Sequence, residues 1–193
     1  MTITRHYFKL HKLELSCNKS KILSYNVDSG HSVFSGGSGM ECITLEQVIA
    51  FKYLGVAINS SSRGFFKTFN DNVKKKARQY MLSVMSLSKT GPDRSELAYT
   101  LWTTCALPAI LYGSEVVPLF KGTIEEIEKC QSKVGKFILQ LPSNTANVCS
   151  NIDAGLRPVW ATIAERVIMY ASNLLSKNEK YWARKALGMT SFV

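Results

Sequence analysis

The hydrophobic pattern of this chain changes period once, near Phe65, and that change asks for two kinds of structure in one molecule. Before it, short apolar runs are separated by turn residues. Lys21-Ile22-Leu23-Ser24-Tyr25 reads as a strand following an Asn18-Lys19-Ser20 turn. Alternation around Cys42–Leu45 and Tyr53–Ile58 predicts two further strands, so residues 20–59 are expected to form a small antiparallel sheet. A short helix over residues 4–15, with Phe8, Leu10, Leu13 and Leu15 as its apolar supply, precedes it. Ser35-Gly36-Gly37-Ser38-Gly39 is a flexible loop. It lacks the Gly-Lys-Ser/Thr ending of a phosphate loop and is given no nucleotide role.

After Phe65 the spacing becomes helical. Phe66, Phe69, Val73, Ala77, Tyr80, Val84 and Leu87 recur at intervals of three and four, an amphipathic stripe. Gly91-Pro92 breaks it, and Asp93 with Glu96 resembles a capping box opening a helix over about 94–112, which Pro108 should kink or interrupt. Thr123 with Glu126 predicts the next start, with Ile124, Ile127, Val134, Ile138 and Leu141 as the apolar face and Pro142 as the stop. Within that helix Glu125, Glu126 and Glu128 come first and Lys129, Lys133 and Lys136 follow, an order that suits the helix dipole. Gly155 can end a short helix and Pro158 can open the next, whose buried face is expected at Trp160, Ile163, Val167, Tyr170 and Leu174. A last short helix is expected over 179–187. The fold class is therefore α+β and predominantly α: a small antiparallel sheet in residues 1–62, then a helical array in residues 63–193.

The charge has a location. Of a net +10, residues 1–23 carry +4 and residues 63–94 carry +6, while the remainder sums to zero. Two basic blocks of this kind suit a polyanion-binding surface. On a helix of 100° per residue, Lys67, Lys74 and Arg78 fall within an arc of about 40°, with Lys75 nearby on the polar side. They form a basic ridge away from the apolar stripe.

Other classes are disfavoured. Five dispersed cysteines (Cys17, Cys42, Cys105, Cys130, Cys149), odd in number and without a CxxC, suit neither a disulfide framework nor a zinc ribbon. No run approaches the ~18 apolar residues of a membrane span. The basic N-terminus has no uninterrupted apolar stretch of a secretory signal, so an intracellular protein, nuclear or cytoplasmic, is expected.

Several stretches resemble the polymerase of non-long-terminal-repeat (LINE-type) retrotransposons. Leu15-Ser16-Cys17-Asn18-Lys19-Ser20-Lys21-Ile22-Leu23 is similar to the family's helix-turn-strand that ends the palm. Phe51-Lys52-Tyr53-Leu54-Gly55-Val56 is similar to its primer-grip hairpin. Leu107-Pro108-Ala109-Ile110-Leu111-Tyr112-Gly113-Ser114-Glu115, then Gln131, Leu139-Gln140-Leu141-Pro142 and Gly155-Leu156-Arg157-Pro158, follow in the family's order. The likeness runs from about residue 8 to 187. It implies the end of a palm with a primer grip, then a thumb.

It also implies a nucleic-acid partner, the backbone of an RNA–DNA or other duplex held without sequence preference. The contact residues would be Lys19, Lys21, Tyr53, Leu54, Gly55, Lys67, Lys74, Lys75 and Arg78. Gly55 would permit close approach to a sugar-phosphate chain, and Lys19 matches the palm lysine proposed in related polymerases to protonate pyrophosphate. Polymerisation needs two metal ions on carboxylates. This chain has four aspartates, Asp28, Asp71, Asp93 and Asp153, none adjacent to another. The expectation is a fragment with no catalytic or metal-binding residues and no cofactor of its own, Mg²⁺ belonging to the complete polymerase. The competing expectation is a non-enzymatic helical module that docks a protein partner through an exposed sheet edge and apolar faces.

Overall fold

The computed structural model describes residues 10–12, 20–24, 33–34, 43–44, 46–60, 64, 66–91, 93–178, 181 and 184. The expected helices over 4–15 and 179–187 and the glycine-rich loop lie outside them, apart from Leu10–Lys12, Tyr181 and Arg184. The fold is α+β and mostly α, with a small antiparallel hairpin before the helices. The chain separates into two compact units, Met1–Thr68 and Phe69–Val193.

In the first unit the described strands form three two-stranded pairs instead of one sheet. β1 (Lys21–Ile22) runs parallel to β4 (Glu46–Gln47), with Lys21 opposite Glu46. β2 (Val33–Phe34) and β3 (Ile43–Thr44) are antiparallel. The parallel pair departs from the antiparallel expectation. Parallel strands need a long crossover, and the stretch between Ile22 and Glu46, which includes β2 and β3, supplies it. β5 (Ala50–Tyr53) and β6 (Val56–Asn59) are antiparallel, with Tyr53 opposite Val56.

The strand expected over Tyr53–Ile58 is thus split by a two-residue turn. Leu54 (φ 47°) and Gly55 (φ 87°) both occupy the left-handed region, as a type I′ hairpin requires. Alternation alone misses this turn because Leu is a poor turn signal; its left-handed backbone costs roughly 1–2 kcal/mol. The unit ends later than residue 62. Asn59 Nδ2 donates to Gly64 O at 3.1 Å and Thr68 Oγ1 at 2.7 Å, tying the first turn of the next helix to the hairpin.

That helix, α1 (Lys67–Ser88), buries Phe69, Asn70, Val73, Ala77, Met81, Val84 and Ser88. The stripe is rotated from the expected one: Tyr80 and Leu87 are exposed and Met81 and Ser88 replace them. Ser88 satisfies its buried hydroxyl by donating to Val84 O at 2.7 Å. α2 (Arg94–Thr100) starts where Asp93 says it should, the carboxylate accepting from Ser95 N at 3.0 Å and Glu96 N at 2.9 Å.

Pro108 does not end the helix. A π-helical segment, Leu101–Ala106, precedes α3 (Leu107–Ile110), and Leu107 N donates to Trp102 O. Widening the turn here makes room for a ring that would otherwise meet the carbonyl four residues back.

α4 (Lys121–Ile138) is the centre of the second unit, packed against α2, α5 (Asn147–Asp153) and α6 (Val159–Ser176). It begins two residues before the expected Thr123, which is instead buried inside the first turn. Its end is a left-handed Gln140 (φ 53°), with Leu141 N donating back to Lys136 O at 2.8 Å. Gly155 (φ 68°) ends α5 in the same way, Leu156 N donating to Asn151 O at 2.8 Å. Trp102, Ile110, Leu111, Ile127, Val134 and Val159 are sealed in the core. The apolar face expected of α6 is wrong: only Val159 is buried, and Trp160 is 63 % exposed. Beyond its first turn, little among the described residues covers this helix.

Candidate functional site

The expected contact residues do not form one surface of equal cations. At the hairpin, the turn lifts Tyr53 and Leu54 into solvent, 60 % and 71 % exposed. β5 and β6 are hydrogen-bonded to each other and to no third strand among the described residues. Lys19 lies outside the described residues. Lys21 is ion-paired with Glu46 across the parallel β1–β4 pair, so its charge is already met.

On α1, Lys67 and Lys75 are exposed and Lys74 is half-buried. Among the described residues none of the three has a carboxylate within ion-pair distance. Arg78 differs. Its Nε donates to Glu126 Oε1 on α4 at 2.7 Å. This hydrogen bond and charge hold the Glu126 carboxyl below the usual carboxylate range and raise the guanidinium further. The ridge therefore keeps three available lysines and loses its arginine to a helix–helix tie.

A second basic cluster escaped the sequence reading. α4 contributes Lys129, Lys133 and Lys136 to the lining of a groove that Met81, Leu82 and Met85 of α1 also line. Arg94 lies over the Phe137 ring, its guanidinium carbon 3.8 Å from the centroid. Its Nε is buried without a hydrogen-bond partner among the described residues. Burial of Cys130 beneath these residues pushes its thiol pKa up, leaving it a poor nucleophile. The sequence signal for it is the i, i+4, i+7 spacing of the lysines, a pattern that also suits the helix dipole.

The segment resembling the family's Leu-Pro-containing motif is a folding device here. Leu111 is fully buried, Gly113 (φ 86°) turns the chain, and Gly113 N donates to Glu115 Oε2 at 3.1 Å. Glu115 also pairs with Arg166 Nη1 at 3.1 Å, anchoring α6. Gln131 is buried between Trp102 Nε1 and Arg157 O.

Of the four aspartates, Asp28 lies outside the described residues. Asp71 lies on α1, Asp93 caps α2 and Asp153 ends α5. Among the described residues no three of His, Cys, Asp and Glu converge. No described helix is long and apolar enough to cross a membrane.

No protein-family profile, curated protein or solved structure matches the chain.

Proposed function

We propose that the chain is the palm-end and thumb portion of a LINE-type reverse transcriptase, and that it holds a nucleic-acid backbone without catalysing polymerisation. The observation that carries this reading is the hairpin. The stretch Phe51–Val56, singled out by its letters, bends at Leu54-Gly55 into a tight turn with an exposed tyrosine and leucine at its tip. Gly55 takes a φ that disfavours side chains, and the missing Cβ leaves its backbone open to a sugar-phosphate chain. The unmet lysines of α1 add a sequence-independent attraction to phosphate. The exposed apolar residues of α6, Trp160, Ile168, Met169 and Leu175 among them, favour a second reading as a protein-docking module.

Binding of an RNA–DNA hybrid to the full chain, followed by fluorescence anisotropy across a salt series, separates the two. The affinity is expected to fall steeply with salt. Lys67→Ala, Lys74→Ala and Lys75→Ala together should lower the slope of log K against log salt by about 2–3 units, near 0.9 per lost phosphate contact. Circular dichroism should show an intact fold, because surface substitutions usually move stability by about 0.5 kcal/mol or less. An unchanged slope in the folded triple variant would leave these lysines as mere solvated charge and remove the proposal. Arg78 is left out because Glu126 already engages it.

The same protein should extend no primer with either Mg²⁺ or Mn²⁺. No two of its four aspartates are adjacent, unlike the paired carboxylates that hold the metals in the family it resembles. Incorporation above a heat-killed control would overturn this reading.

A further inference from the structure

We propose that the groove between α1 and α4 is a docking site for an acidic amphipathic helix of a partner protein. Lys67, Lys74 and Lys75 are not among the residues that line it, and the inference goes beyond the nucleic-acid reading. The groove encloses about 850 Å³. Its apolar lining is deformable: Met81, Leu82 and Met85 of α1, Cys130 and Phe137 of α4, and Leu141. Methionine's unbranched thioether repacks around apolar anchors of varied shape.

The rim is basic. Arg94, Lys129, Lys133 and Lys136 line the groove together with one ion pair, Arg78 with Glu126, the single carboxylate of the lining. Lys129, Lys133 and Lys136 stand at i, i+4 and i+7, so they climb the groove at helical pitch, roughly 5.4 Å per turn. A partner helix with glutamates at the same spacing, beside apolar residues at i, i+3, i+4 and i+7, would meet both features at once. Arg94 adds a fixed cation. It is held against Phe137, and its Nε has no acceptor among the described residues.

Other occupants fit worse. A nucleic-acid backbone would use the lysines but gain nothing from a methionine and leucine lining. Phe137, at 7 % exposure with Arg94 over its ring, presents no face on which a base could stack. The chain's own residues 1–23 and 179–193 are both net basic and would be repelled.

The test uses the full chain and two synthetic helical peptides. They share one leucine-bearing apolar face and carry either glutamates or lysines along its edges. The acidic peptide should bind at least tenfold more tightly than the basic one, and more weakly as salt rises. Lys129→Glu with Lys133→Glu, both exposed positions, should cost the acidic peptide at least tenfold with the circular dichroism unchanged. Leu82→Asp, also exposed, should weaken it independently through the apolar lining. The Lys67/Lys74/Lys75 alanine variant should bind the peptide as the parent does. Equal affinity for both peptides, or none for either, overturns the proposal. So does a Lys129/Lys133 variant that keeps the acidic peptide while losing the RNA–DNA hybrid, which would assign the groove to nucleic acid instead.

Discussion

Trp102→Ala is expected to destabilise the helical unit by about 3–5 kcal/mol, the range for deleting a fully buried tryptophan. Trp102 has no exposed surface and sits in the π-helical segment, where the widened turn directs it into the core. Its indole Nε1 donates to Gln131 Oε1 at 3.3 Å, and Gln131 Nε2 donates to Arg157 O at 2.9 Å. Three parts of the unit meet in this chain: the π segment, the middle of α4 and the turn before α6. The alanine variant opens a cavity and also leaves a buried amide oxygen without its donor, a further cost of about 1–3 kcal/mol if water does not reach it. A domain of this size is typically stable by only about 5–15 kcal/mol. The variant should therefore lose much of its margin, read as a large fall in the urea midpoint by circular dichroism. Trp102→Phe keeps a six-membered ring but loses the five-membered half of the indole with its N–H, so it should fall between the two. A midpoint for Trp102→Ala close to that of the parent would mean that the π segment does not hold the core together.

Features read correctly from the sequence were those decided by neighbours in the chain. Asp93 caps α2 because its carboxylate reaches amides two and three residues on. Gly155 ends α5 because a left-handed residue is needed there, and glycine supplies it at little steric cost. The change of period at Phe65 marks where helices begin because burial must follow the backbone's own repeat.

The failures share a cause, which is that the deciding partner is remote. Thr123 and Glu126 have the letters of a capping box, yet α4 starts at Lys121 and Glu126 answers Arg78, 48 residues away. The periodicity of α6 is that of a buried helix, but periodicity says only which residues share a face. It does not say whether anything lies against them.

The candidate site divided in the same way. The hairpin was legible because its motif is local, although alternation read over Tyr53–Ile58 runs straight through its turn. On the α1 ridge, Arg78 is paired from another helix, a partner that spacing along α1 does not reveal. The groove was missed because its walls come from segments that sequence spacing does not bring together.

Asn70→Ala tests the remote contact that places those walls. Asn70 is 1 % exposed in the first turn of α1. Its Oδ1 accepts from Phe120 N at 2.8 Å and its Nδ2 donates to Pro118 O at 3.3 Å. Phe120 is the residue that opens α4, and no side chain of its own segment caps that end. Asn70 thus does from another helix what the third residue of a capping box does locally: it satisfies the amide at the helix start. Alanine would leave that amide and the Pro118 carbonyl without these partners, for an expected loss of about 2–3 kcal/mol. Arg78→Ala removes the other tie between the same two helices, but that pair is largely in solvent, where long side chains and water screening leave little net gain. The two variants should therefore differ clearly in urea midpoint, with Asn70→Ala the lower. Because α1 and α4 both line the groove, Asn70→Ala should also weaken the acidic peptide at temperatures where the protein is still folded. Matching midpoints for the two variants would show that the crossing of α1 and α4 is set by packing of their apolar faces and not by the asparagine.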